Sequence, residues 1–190
     1  ESRSFPGVVV LGLYLRLADR YQSCAAVLQR GSVLGVVPKG RDAGHRDRIT
    51  LFRSDVPFGD LLFEDPSCDF RFGVEVSEDL YGPAAPAEGL CLAGAHLICC
   101  PFAESERIAA GTWRKQAVLH RSAGSACAYV LAAAGATEST TDAVFAGHSM
   151  IAECGDLLAE QERFSRSRQL LFADVDFERA RQRRIPDPGA

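Results

Sequence analysis

Short apolar runs of strand length, cut apart by turn residues, restrict this chain more than any other feature. They occupy residues 8–15, 24–28, 33–37, 61–63, 70–76, 96–100, 128–133, 144–151, 157–160 and 170–175, and runs this brief between turn signals read as strands. Residues 8–15 are apolar throughout, which predicts an interior strand buried on both faces. Gln29-Arg30-Gly31-Ser32 and Glu153-Cys154-Gly155-Asp156 each lie between two runs and predict hairpins. Residues 61–63 and 70–76 predict a further strand pair, 96–100 and 128–133 two more strands, and 170–175 the last.

Helical spacing is found between these runs. Residues 84–95, entered through prolines, predict a helix with Leu90, Leu92 and Ala93 toward the core. Residues 113–127 predict another, with Trp113, Ala117, Val118, Ser122 and Ser125 forming a face of mostly small residues for close packing on a sheet. The arginine-rich residues 179–184 predict a solvated helix, and the polar, aperiodic residues 40–54 a long surface loop. Strands alternating with helices place the chain in the α/β class.

Composition narrows the function classes. With 190 residues, 47% of them hydrophobic and 24% charged, one domain with one sizeable core is expected. A net charge of −4 and the lack of aromatics among the arginines of 179–184 argue against nucleic acid. Seven cysteines, most in apolar runs and none in a Cys-x-x-Cys pair, predict reduced, buried thiols, and four scattered histidines predict no metal site. No apolar stretch approaches the length of a membrane span and the first residues do not read as a signal peptide, so no membrane partner and a cytoplasmic setting are expected. A central strand as early as residue 8 has almost nothing ahead of it to cover its faces, which predicts that residues 1–190 are a single partial domain lacking its first strands.

Chemistry, where the chain carries any, is expected at Ser77. The alternating Phe72, Val74 and Val76 predict a strand running into Ser77-Glu78-Asp79, which sets a hydroxyl beside carboxylates, with Glu75 just upstream. Taken alone, the triplet also reads as a serine capping a short helix. Lys39 lies just past another strand end.

Several stretches together resemble the glutaminase domain of the glutamine-dependent NAD⁺ synthetase family, a branch of the nitrilase, or carbon–nitrogen hydrolase, superfamily. They are Glu138-Ser139-Thr140-Thr141-Asp142 with Gly147-His148-Ser149 through Ile151 and Glu153; Gly73-Val74-Glu75 with Glu78-Asp79-Leu80; residues 34–39 ending in Pro38-Lys39; and Ala128-Tyr129-Val130. The resemblance implies an α/β fold of the nitrilase type, an α-β-β-α sandwich. It also implies a nucleophile at position 77, where the family has cysteine and this chain has Ser77, and an oxyanion-stabilising lysine at Lys39. Glu78, Tyr81, Glu104 and Ser105 fall where substrate contacts are implied, the last two within a glutamine-binding stretch that here reads Cys100-Pro101-Phe102-Ala103-Glu104-Ser105-Glu106. The family's catalytic glutamate is expected upstream of residue 8.

The function expected on this basis is glutamine amidohydrolysis that supplies ammonia, impaired here because an alcohol ionises far less readily than a thiol. The alternative is a noncatalytic nitrilase-like domain kept for assembly or regulation. L-glutamine, a synthetase domain and further copies of the chain are the implied partners. No Gly-rich phosphate-binding loop is present and no cofactor is expected in this chain.

Overall fold

The computed structural model describes residues 3–40, 47–65 and 67–184. β1 (Val9–Leu17), β2 (Arg20–Gln29) and β3 (Ser32–Pro38) form an antiparallel three-stranded sheet in that order. The predicted hairpin joins β2 to β3, and Arg30 and Gly31, at φ 48° and 84°, make its two-residue turn, whose left-handed backbone matches the strands' twist. β1 is not the interior strand predicted. Among the described residues it pairs only with β2, as an edge strand, and leaves Leu11 and Tyr14 52% and 76% exposed. A continuous apolar run does not distinguish a strand buried between neighbours from one whose two faces each touch a different core. Here Val10 packs on one side and Leu13, Leu15 and Leu17 on the other.

Residues 40–54 were expected to be loop. Residues 41–46 lie outside the described residues, but the rest holds half of a hairpin, β4 (Arg48–Leu51) and β5 (Ser54–Pro57). Its turn is Phe52-Arg53, both left-handed at φ 49° and 68°, and lacks the Gly or Asn that announces such turns in a sequence. Gly59 N–H donates to Val36 O at 3.1 Å, tying the hairpin's exit to β3.

The second sheet comprises β6 (Leu62–Asp65), β7 (Phe70–Val74), β8 (Leu97–Phe102), β9 (Ala128–Ala133), β10 (Met150–Glu153) and β11 (Asp156–Glu160), in spatial order β11-β10-β9-β8-β7-β6. β7, β8 and β9 run parallel and the outer pairings are antiparallel. A 3-10 turn (Ser77–Tyr81) and α1 (Pro86–Leu92) cross from β7 to β8, and α2 (Ala110–Gly124) crosses from β8 to β9. Close approach of α1 requires Gly73, where a Cβ would meet Leu90 Cδ1 at 2.7 Å. Ala87, Leu90 and Cys91 form the buried face of α1. Leu92, predicted toward the core, is exposed because residues two apart lie on opposite sides of a helix, and Ala93, also predicted toward the core, is exposed just past the end of α1. On α2 the buried stripe is Gly111, Arg114, Val118 and Ser122, so Trp113, assigned to that face, stands 63% exposed.

Three cores follow from these layers. Ile49, Val56 and Phe58 of the hairpin region cover Cys24, Ala26 and Val36 on one face of the first sheet. Ala25, Val27 and Val37 on its other face meet Phe72, Val74 and Val76 of the second sheet. The far face of the second sheet packs Ile98, Tyr129, Leu131 and Met150 against α1 and α2. No helix among the described residues is long and apolar enough to cross a membrane.

Two expectations at the C-terminal end are corrected. Residues 170–175 form no strand, and Leu170 and Phe172 are exposed. The helix α3 (Phe177–Arg184) is present, but its arginines are not simply solvated. Arg184 donates to the carbonyls of Ala126, Cys91 and Ala95 at 3.1, 3.3 and 2.6 Å, Arg183 to Cys154 O at 2.7 Å, and Arg179 pairs with Glu153 and Asp156. Unpaired carbonyls at helix and hairpin ends attract such cations.

Candidate functional site

β7 stays in line with β8 through Glu75, whose N–H donates to Cys99 O at 3.1 Å, and the chain then breaks sharply at Ser77. Ser77 has φ 56°, a left-handed conformation that is unfavourable for a residue with a Cβ. It thereby turns its side chain out of the strand end while remaining 5% exposed. Its Oγ accepts a hydrogen bond from Ala103 N–H, 3.2 Å away on the loop after β8. Behind it the Cys100 thiol donates to the Ser77 carbonyl at 3.8 Å.

Asp79 ties this elbow to the end of β3. Its carboxylate accepts from Gly40 N–H at 3.0 Å and from Val76 N–H at 3.4 Å, and burial pushes its pKa up against those bonds. Lys39 is thereby held at the rim, where its ammonium pairs with Glu78. Burial acts to raise the Glu78 pKa, but the Lys39 hydrogen bond and charge, with a backbone hydrogen bond, outweigh it and hold the carboxyl below its ordinary range. Lys39 thus meets the Ser77–Glu78 elbow although it lies far from it in sequence.

The remaining candidate residues lie one layer out. Tyr81 donates to Glu104 at 3.0 Å, and burial followed by the Glu104 charge pushes its phenol well above the ordinary range. Glu104 also meets Arg107 at 2.5 Å and Arg114 at 3.6 Å. Arg114, 2% exposed, sends two N–H groups to Glu106 at 3.2 and 3.3 Å and lies 5.0 Å from the Phe102 ring centre. Ser105 is exposed between these two anchored glutamates. The turn at 138–142 closes on itself through Thr140 and Ser139, and Glu106 N–H donates to Val144 O at 2.7 Å, so it braces the loop that carries Ala103.

Neither core histidine offers Ser77 a base. His148 Nε2 lies 2.8 Å from Glu160, and His96 sits at the start of β8, the opposite end from Ser77, beside Arg71 and Arg181. Burial raises the thiol pKa of Cys24 to about 11 and of Cys99 to about 12, and that of Cys100 well above the ordinary range. Such thiols stay protonated. Among the described residues no group of three or more His, Cys, Asp or Glu could hold a metal ion.

Glu75 is fully buried and its carboxylate accepts from Ala87 N–H at 3.1 Å and from the Tyr129 hydroxyl. Burial raises its pKa above the ordinary 4.5 despite these bonds and the nearby Arg121 charge, with Asp79 adding to the rise. A carboxyl with a raised folded-state pKa contributes stability that is full below the unfolded value and is lost as pH rises through the folded one. Glu75→Gln keeps an acceptor for Ala87 and a partner for Tyr129 without the charge. Chemical denaturation of both proteins from pH 4 to pH 8 is expected to show the parent losing stability relative to the variant as pH rises. A variant weaker by more than about 1 kcal/mol at pH 8 would mean that the charged form is needed.

Arg114 was not foreseen from the sequence, and Ala103 only as part of the implied glutamine-binding stretch. Arg114 had a signal, since it shares a helical stripe with Val118 and Ser122; Ala103 acts through its backbone, which no residue type announces.

No protein-family model matches the chain. It is 39% identical over 204 aligned residues to a glutamine-dependent NAD(+) synthetase of Mycobacterium tuberculosis, covering 97% of this chain. The chain is homologous to the glutamine-dependent NAD(+) synthetases. This NAD(+) synthetase homologue spans about 30% of the length of the curated relatives it matches. The glutamine-dependent NAD(+) synthetase of Cytophaga hutchinsonii superposes with a TM-score of 0.67 at 24% identity, over 83% of this chain and 28% of that one. A carbon–nitrogen hydrolase from Helicobacter pylori superposes with a TM-score of 0.68 at 20% identity, over 95% of this chain and 66% of that one. The NAD(+) synthetase homologue therefore has the carbon–nitrogen hydrolase fold.

Proposed function

We propose that residues 1–190 are the glutamine amidohydrolase part of a cytoplasmic glutamine-dependent NAD(+) synthetase, with hydrolysis impaired by Ser77. The observation that carries this reading is the left-handed elbow at Ser77, with Ala103 N–H on its oxygen and Lys39 tied beside it through Glu78 and Asp79. An attacking atom at position 77 and a cation for the oxyanion are the parts amide hydrolysis needs at a strand end. Impairment is supported by the poor choice of base. Glu78, next to Ser77, pairs with Lys39, and its carboxyl is held below its ordinary range and so takes up a proton reluctantly.

In this reading Lys39 steadies the oxyanion, Glu78 and Ser105 remain open to substrate, and Tyr81 and Glu104 shape the wall by binding each other. Released ammonia would pass to a synthetase domain. Titration of the isotope-labelled chain with millimolar L-glutamine tests this. The amides of Gly40, Ser77 and Ala103 are expected to shift without appreciable turnover. Rapid hydrolysis by the parent chain would remove the impairment, and unmoved amides would leave the noncatalytic assembly domain as the better reading.

A further inference from the structure

The Ala103 N–H donates to the Ser77 Oγ, the atom that would attack a substrate. It comes from the residue that follows β8, and the loop that carries it is clamped from three directions. Arg114 of α2 holds Glu106 and approaches Glu104, Tyr81 holds Glu104, and Val144 O receives the Glu106 N–H. A neutral hydroxyl has little need of so firmly fixed a donor, whereas an ionised nucleophile gains strongly from one, because hydrogen bonds to a charged acceptor are about twice as strong as neutral ones.

Resting on the glutaminase reading above, we propose that the Ala103 backbone N–H is a catalytic donor that stabilises negative charge on the nucleophile at position 77. With Ser77 in place the donor meets only a neutral oxygen; with a thiolate there it increases the fraction of protein ready to attack. Lys39, Glu78 and Asp79 at the rim, and Glu75 and Cys100 behind the strand, also face this position and set the background field.

The test uses the full chain carrying Ser77→Cys, alone and with Ala103→Pro or Ala103→Gly. Proline removes the N–H, glycine retains it, and Phe102 before it already lies in the extended conformation that a following proline requires. Iodoacetamide alkylation is followed against pH, with labelling assigned to position 77 by peptide mass so that the exposed Cys68 does not contribute. Ala103→Pro is expected to slow alkylation at pH 7 by about tenfold and move the curve to higher pH, whereas Ala103→Gly leaves it in place. Coincident curves for all three would overturn the proposal.

A second readout needs no proline variant. In Ser77→Cys the Ala103 amide proton is expected to move downfield with the same midpoint as the alkylation curve, and a flat response would count against the donor as firmly. A thiol that shows both effects yet never hydrolyses L-glutamine, even in a longer form reaching upstream of residue 8, would reject the glutaminase reading while leaving the donor role standing.

Discussion

Replacing Ser77 by cysteine is expected to raise glutamine hydrolysis by on the order of 10³-fold or more over the parent. The size follows from ionisation. A thiol at position 77 meets the Ala103 N–H and lies beside the Lys39–Glu78 pair, so an appreciable thiolate fraction forms near neutral pH, whereas among the described residues the serine alcohol has only the adjacent Glu78 to take its proton. The fold needs little adjustment, since the left-handed backbone and the Asp79 bonds to Gly40 and Val76 involve no atom of the Ser77 side chain. Release of glutamate and ammonia should be followed both in this chain and in a longer form reaching upstream of residue 8, where the resemblance puts the general base. Activity in the longer cysteine form only would assign the remaining deficit to that base. No activity in either would mean that the Gly40 loop or the 103–106 loop no longer receives glutamine.

Much of this arrangement was legible in the sequence because turns and crossovers leave local marks. Arg30-Gly31 and Cys154-Gly155 announced their hairpins, and the switch from Val76 to Ser77-Glu78-Asp79 marked the elbow. Phe52-Arg53 adopts the same kind of turn without glycine, so the β4–β5 hairpin was hidden in a polar stretch. Leu92 was misassigned because an apolar side chain at a helix end need not face the core, and residues 170–175 because apolar character does not supply a strand with a neighbour. The arginines of α3 looked like a charged surface because their partners are backbone carbonyls from three distant segments. The site was legible where it depends on side-chain type, at Ser77 and Lys39. It was silent where it depends on a backbone N–H or on a charge buried by tertiary contact.

Arg114 is where such a buried charge matters most for stability. Arg114→Leu is expected to destabilise the chain by about 3–5 kcal/mol at pH 7, because leucine fills part of the volume but leaves Glu104 and Glu106 largely buried with weakened compensation. Their side chains are only 9% and 8% exposed, Arg107 is 74% exposed and Arg163 stands 3.7 Å from Glu106 and is itself partly in solvent, so these cations replace Arg114 poorly. Urea denaturation of parent and variant at pH 7 measures the loss. The triple variant Arg114→Leu, Glu104→Gln, Glu106→Gln separates a lost attraction from stranded charge, and should recover a large part of the deficit at pH 7. A loss below about 1 kcal/mol for Arg114→Leu alone would mean that water already solvates the two glutamates. The loop carrying Ala103 would then be held by Val144 and Tyr81 rather than by the cation on α2.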